Sequence, residues 1–137
     1  MSVVIDASIT ITWLFDDEND AAAKALARSV ADTGAVVPAI WRLEIANVLR
    51  MAERRGRCSQ SFVDESLARL ALLEVEVDSD TDAYAWNATL NLAREEDLTV
   101  YHAAYLELAR RLGLPLATRD KELIAAATSQ QVSLIGN

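Results

Sequence analysis

The sequence predicts an α/β fold: a three-layer α/β/α sandwich around a mostly parallel central sheet, in one domain over residues 1–137. Three observations predict it. Short apolar runs are separated by longer stretches whose apolar residues recur at helical spacing. Glycines stand where helical stretches stop, at Gly34, Gly56 and Gly113. The resulting order is strand, helices, strand, helices, strand, helices, strand, helix, strand, the order of a sheet whose parallel strands are joined by helical crossovers.

The elements follow in turn. Ser2 to Ile5 reads as a buried strand. Ile9 to Trp13 alternates like a strand, but Ser8 can cap a helix there, and a chain leaving a parallel strand enters a helix. Asp16 to Asp20 is a polar loop whose acids suit the start of the next helix, which runs to about Asp32 with Ala22, Ala23, Leu26 and Val30 on one face. Ala35 to Pro38 is a second strand. Ile40 to Arg55 is a long helix with Trp41, Ile45, Val48, Leu49 and Ala52 in register. Ser59 caps another helix, with Phe62, Val63, Leu67, Leu70 and Ala71 inward. Val75 to Val77 is a third strand. Asp80 to Ala93 is a helix that aligns Ala83, Trp86, Leu90 and Ala93, and Glu95-Glu96-Asp97 interrupts it. Thr99 to Leu112 is a helix with Tyr101, Ala104, Tyr105 and Leu108 in register. Leu114 to Thr118 is a fourth strand, Asp120 to about Thr128 a short helix, and Val132 to Ile135 a last strand. Pro38 and Pro115 stand where strands are left and entered.

Composition narrows the function. A chain of 137 residues favours a single core, and 52% hydrophobic residues exclude a disordered chain. No apolar run approaches the roughly 18 to 20 residues that span a bilayer, and no basic-then-apolar segment opens the chain. Neither a membrane partner nor a signal peptide is expected, and the expected location is cytoplasmic. The one cysteine, Cys58, excludes an internal disulfide and a thiolate metal cage and reads as a loop thiol. A net charge of −8 argues against broad adhesion to nucleic acid. It leaves room for a metal-dependent nuclease, because a carboxylate pocket adds negative charge that a bound cation reverses locally. Charge is also uneven: Arg50, Arg54, Arg55 and Arg57 lie in one segment, and Asp16, Asp17, Glu18 and Asp20 in another.

In sheets of this kind, sites form outside the carboxyl ends of the strands. Asp6 follows the first strand, and Asp120 follows the fourth across Arg119. Glu44 lies in the first turns of the helix after the second strand. Its helical neighbours Trp41 and Val48 are apolar, so its carboxylate leaves an apolar face. Converging carboxylates repel unless protonated or bound to a cation, and hard oxygen donors suit Mg²⁺ or Mn²⁺. The alternatives are local: Asp6 as a turn former and Asp120 as a helix cap.

Four segments carry a family resemblance: Val4-Ile5-Asp6-Ala7-Ser8, Trp41 to Leu49, Leu98 to Tyr105, and Leu116-Ala117-Thr118-Arg119-Asp120. In this order they resemble PIN-domain ribonucleases, specifically the VapC-type toxins of bacterial toxin–antitoxin pairs. The resemblance implies a PIN-like sandwich and a metal-dependent endoribonuclease that hydrolyses RNA phosphodiesters. It implies Asp6, Glu44 and Asp120 as catalytic residues and ligands of Mg²⁺ or Mn²⁺, with Ser8 and Thr118 as supporting hydroxyls. It also implies a VapB-type antitoxin as partner, RNA as substrate and a homodimer, to which tryptophans among Trp13, Trp41 and Trp86 can contribute unless they are core. Arg50, Arg54 and Arg55 are candidate RNA contacts, or else a solvated helix end whose cations complement the dipole.

One position departs from the family pattern. Where an aspartate normally stands, this chain has His102. By resemblance it is the fourth metal ligand; by periodicity, beside Leu98, Tyr105, Leu106 and Ala109, it is a core histidine. An imidazole in place of a carboxylate weakens Mg²⁺ binding while still suiting Mn²⁺ or Zn²⁺. Two rivals follow. The chain is a catalytically impaired PIN domain that still binds antitoxin or RNA, or it is a phosphoryl-transfer enzyme of the haloacid-dehalogenase type. The second wants another aspartate two residues after the first, where Ser8 stands.

Overall fold

The computed structural model describes residues 2–136. Its sheet has four strands, all parallel: β1 (Val3–Ile5), β2 (Ala35–Val37), β3 (Val75–Val77) and β4 (Leu116–Ala117), in the order β3-β2-β1-β4. The helices are α1 (Ala7–Thr12), α2 (Ala21–Thr33), α3 (Trp41–Arg54), α4 (Gln60–Leu70), α5 (Thr81–Tyr84), α6 (Leu90–Glu96), α7 (Val100–Leu112) and α8 (Lys121–Ser129). A π-helical segment, Ala85–Thr89, joins α5 to α6. The α/β sandwich read from the sequence is borne out.

Strand β1 is the centre of the molecule. Val3, Val4 and Ile5 are all buried, as an inner parallel strand covered on both faces must be. Helix α7 packs against β1 and β4 and carries a buried run from Ala103 to Ala109. Helix α1 packs on α3, and α3 on α4. At the other extreme β3 is an edge, with Glu76 and Val77 exposed.

Several local expectations are corrected. Helix α1 starts at Ala7, and its cap is Asp6, whose carboxylate accepts the Ile9 N–H at 3.0 Å; Ser8 is inside the helix. Trp86 does not face inward but is 92% exposed. The π-helical turn around it carries an extra residue, which rotates the phase of the helix and brings Thr89, Leu92 and Ala93 to the buried side. The helix then runs through Glu96 and ends at Asp97 with φ 53°, so the acids end it rather than divide it. Tyr101 is 60% exposed, because at the first turn of α7 its direction lies outside the packed face. Leu67 is partly exposed, leaving Ser66 and Leu70 as the buried residues of α4. The fourth strand is Leu116–Ala117 alone, and residues 132–135 make only a single parallel bridge, Leu116 to Leu134. Among the tryptophans, Trp41 is buried and Trp13 partly so. No helix of the described residues is long and apolar enough to cross a membrane.

Candidate active site

The site grows from the register of two neighbouring strands. Ile5 of β1 pairs with Ala117 of β4, so the next residues, Asp6 and Thr118, emerge side by side at the carboxyl edge. Adjacent strands lie about 4.8 Å apart, within reach of a side-chain hydrogen bond. Thr118 Oγ1 donates to Asp6 Oδ2 at 2.5 Å, and Ser8 Oγ donates to Asp6 Oδ1 at 2.7 Å. With the Ile9 N–H, the Asp6 carboxylate accepts three hydrogen bonds. Burial nevertheless holds its pKa above the ordinary aspartate range, with Asp120 adding repulsion, because the hydrogen bonds offset only part of the lost hydration.

Glu44 comes from the first turn of α3. That helix is fixed to the site by Trp41, whose Nε1 donates to Thr10 Oγ1 at 3.2 Å, while Thr10 Oγ1 donates to the Asp6 carbonyl at 2.7 Å. The Glu44 carboxylate accepts a short hydrogen bond from the hydroxyl of Tyr105, on α7. Partial burial raises the Glu44 pKa, and Asp6 adds to the effect; the Tyr105 bond and His102 act against it. Tyr105 is held well above the usual phenol range, first by burial and then by Glu44, so its hydroxyl stays a donor. Tyr105 was legible as a core residue. The signal for its second role is that a buried tyrosine hydroxyl needs a partner.

Asp120 is both a helix cap and a neighbour of the site. Its Oδ1 accepts the Leu123 N–H at 2.9 Å, capping α8, and its own N–H donates to Thr118 Oγ1 at 3.0 Å. Its Oδ2 lies 3.9 Å from His102 Nε2. The two readings of Asp120 are thus compatible, since one oxygen caps and the other faces the histidine. His102 is not a core histidine: it is partly exposed and lines the cleft, while its Nδ1 is shielded and has no hydrogen-bond partner among the described residues. Glu122, not anticipated from the sequence, joins this corner: donor atoms of His102, Asp120 and Glu122 lie within 4.8 Å of one another.

A cleft of about 540 Å³ opens over these groups, lined by Ser8, Glu44, His102, Arg119 and Glu18 among others. Asp6 does not itself line the cleft but is bonded to Ser8, which does, and to the buried Thr118. None of the arginine cluster lines the cleft. Arg54 lies ten residues along α3 from Glu44, a helical rise of about 15 Å. Arg50 pairs with Glu53, and Arg57 with Asp17 and Glu18.

A parallel sheet that gathers Asp6, Thr118 and Asp120 at one edge, with Glu44 over it, is the arrangement of a PIN domain. The PIN domain family model matches residues 3–128, and the chain belongs to that family. It is 32% identical to Ribonuclease VapC3 of Mycobacterium tuberculosis, in two strains, over 126 residues that cover 90% of this chain and 86% of that protein. Among solved structures it is similar to PAE2754 from Pyrobaculum aerophilum, with a TM-score of 0.68 and 25% identity over 92% of this chain and 87% of that one. It shares the fold of Mycobacterium tuberculosis VapC20, a sarcin-ricin-loop-cleaving toxin, with a TM-score of 0.61 and 19% identity over 90% of this chain and 94% of that one.

Proposed function

We propose that this protein is a metal-dependent endoribonuclease, the toxin of a VapBC-type toxin–antitoxin pair, with Asp6, Glu44 and Asp120 as its catalytic carboxylates. The observation that carries the reading is the buried, thrice hydrogen-bonded Asp6, bonded to Ser8 in the wall of a cleft that Glu44 and His102 also line. Membership of the PIN-domain family and the likeness to a named ribonuclease support it.

The donor types suit a divalent cation, and those of His102, Asp120 and Glu122 converge within 4.8 Å. Carboxylates that burial holds above their ordinary pKa gain from a positive charge nearby, and the imidazole beside Asp120 has a shielded nitrogen without a partner among the described residues. Asp6, Glu44, Asp120 and His102 would hold Mg²⁺ or Mn²⁺, and the imidazole favours Mn²⁺. The chemistry a cation would supply there is Lewis-acid polarisation of a phosphate and activation of water near neutral pH. The chain's own residues do the rest. Thr118 and Ser8 fix both oxygens of Asp6, so the central carboxylate is set before substrate arrives. Tyr105 holds one oxygen of Glu44 and leaves the other to orient the attacking water. No serine or cysteine nucleophile is required.

The proposed partner is a VapB-type antitoxin whose arginine or lysine meets these carboxylates. A homodimer belongs to the same reading, as do RNA contacts at Arg54 and Arg55, which are exposed and make no ion pair among the described residues. The test is cleavage of total RNA with Mg²⁺, with Mn²⁺ and with EDTA. The expected result is cleavage that EDTA abolishes and that Asp6→Asn lowers by about 10³-fold. Cleavage that survives both treatments overturns the reading. A second reading, favoured by His102, is a PIN domain whose catalysis is impaired while binding persists. RNA or antitoxin binding with no turnover in either metal distinguishes it.

A further inference from the structure

Arg119 stands between Thr118 and Asp120, and its backbone N–H donates to Ser8 Oγ at 2.8 Å, so its backbone is tied to a residue that lines the cleft. Its side chain lines the cleft beside Ser8, Glu44, Glu18 and His102, and it is the one guanidinium among the lining residues. The tip of that guanidinium is engaged elsewhere. Nη1 and Nη2 grip the two oxygens of Asp20 at 2.9 and 2.8 Å, and Nη2 reaches the Gly136 carbonyl at 3.4 Å. Arg119 Nε is shielded from solvent and has no hydrogen-bond partner among the described residues. Asp20 belongs to the loop between α1 and α2 and caps α2 by accepting the Ala23 N–H. Its side chain is 56% exposed, against 28% for Arg119.

We propose that Arg119 is the phosphate-gripping arm of this cleft, and that Asp20 occupies its fork until an RNA phosphate takes the carboxylate's place. The proposal rests on the ribonuclease reading and assigns the residue that brings the anionic backbone into an acid-lined site. The exchange is chemically even. A phosphodiester offers a guanidinium the same pair of oxygens that a carboxylate does, and the bidentate fork suits both. The resident pair is open to water on the Asp20 side, so an incoming phosphate can reach the fork and compete for it. The need is also physical: Asp6, Glu44 and Glu18 repel a phosphate, and Arg119 is the fixed cation beside them. Arg57 does not line the cleft; it pairs with Asp17 and Glu18 and packs over the Phe15 ring.

The two partners make opposite predictions. Asp20→Asn keeps a good helix cap and removes the competing charge. Arg119→Gln removes the cation. Binding is read by fluorescence anisotropy of a labelled, mixed-sequence single-stranded RNA, with Ca²⁺ in place of Mg²⁺ so that association rather than turnover is measured. Asp20→Asn is expected to tighten binding about threefold to tenfold. Arg119→Gln is expected to weaken it about tenfold and to reduce the slope of log K against log salt by about 0.7, one phosphate contact on a single strand. The double variant should bind like Arg119→Gln alone, and Arg119→Lys should lie between. In cleavage assays Arg119→Gln should raise KM more than it lowers kcat. Wild-type affinity and slope in a folded Arg119→Gln protein overturn the proposal. So does weaker binding in Asp20→Asn, which would make the pair only a loop tie. If the wild-type protein cleaves RNA while these variants leave binding unchanged, the phosphate arm fails and the ribonuclease reading stands. If the wild-type protein neither binds nor cleaves RNA, both fail.

Discussion

At the scale of single residues, the site depends on hydroxyls as much as on acids. Thr118 Oγ1 donates to Asp6 and accepts from the Asp120 N–H, so one hydroxyl ties together the two strand-end acids. Thr118→Val keeps the shape and removes both interactions. It leaves a buried carboxylate oxygen without its donor, which costs about 1–3 kcal/mol. Thermal denaturation should show a fall in Tm, and cleavage should drop by about 10 to 100-fold, the usual effect of losing a group that orients a ligand. An unchanged Tm would mean that water replaces the hydroxyl. His102 makes the complementary case. It is close to Asp120 but offers a nitrogen where an oxygen suits Mg²⁺ better. His102→Asp should raise Mg²⁺-supported cleavage about tenfold and Mn²⁺-supported cleavage less. Equal Mg²⁺ rates in the two proteins would show that the imidazole is not the limit. Each residue was visible in the sequence because it follows a strand end or sits in a motif. Tyr105 with Glu44, 61 residues apart, and Arg119 with Asp20, 99 apart, were not visible, because such partners are known only once the strand register is known.

At the scale of elements, the parts predicted well are those whose cause is local. Strands β1 and β2 are short apolar runs; α2, α4, α7 and α8 each begin at a side chain that accepts a backbone N–H in the first turn, from Asp20, Ser59, Thr99 and Asp120. The errors have longer-range causes. A π-helical turn shifts the helical phase within a stretch whose composition does not change, so Trp86 was assigned to the wrong face. The segment after Gln131, which has φ 58°, was read as a strand by composition but meets β4 at one bridge only. One contact between elements was not foreseen. Arg111, in the last turn of α7, binds Asp78 at 2.6 Å just beyond β3 and Glu107 at 2.9 Å, and stacks over Tyr84. All three charged side chains are largely buried. Burial pushes the Asp78 carboxyl up, but its bonds to Arg111 and to the Asp80 N–H outweigh that and hold it below the usual range. Arg111→Ala would leave two buried carboxylates without a counter-charge, so a loss of about 3 kcal/mol is expected in urea denaturation. A loss under about 1 kcal/mol would place this cluster among ordinary surface pairs.

At the scale of the whole molecule, a net charge of −8 and a cluster of buried acids act together against the metal-free fold. Asp6 and Glu44 have folded pKa values raised by burial, whereas in the unfolded chain they titrate at about 4. Above their folded pKa values, both are charged in either state, and the fold bears the full cost of burying them. As pH falls through those values, the native state takes up protons that the unfolded chain does not, so stability rises until about pH 4. Asp78 and Asp20 act oppositely. Arg119 holds the exposed Asp20 down to about 2, and both groups give up stability only as pH drops below about 4. The metal-free protein should therefore have its highest Tm in mild acid: Tm should stay level from pH 8 down to the raised folded values and climb from there to about pH 4. A divalent cation bound as proposed would replace the missing protons, so added Mn²⁺ should raise Tm most at pH 8 and progressively less in acid, where protons compete for the same oxygens. Asp6→Asn separates this local effect from the general relief of negative charge. Both it and an exposed Glu95→Gln reduce the net negative charge by one unit, but Asp6→Asn removes a buried acid where Glu95→Gln removes only a solvated one. Asp6→Asn should raise the metal-free Tm at pH 8, flatten its pH dependence and weaken the response to Mn²⁺, while Glu95→Gln changes none of these appreciably. Equal effects of the two variants would assign the pH dependence to net charge alone.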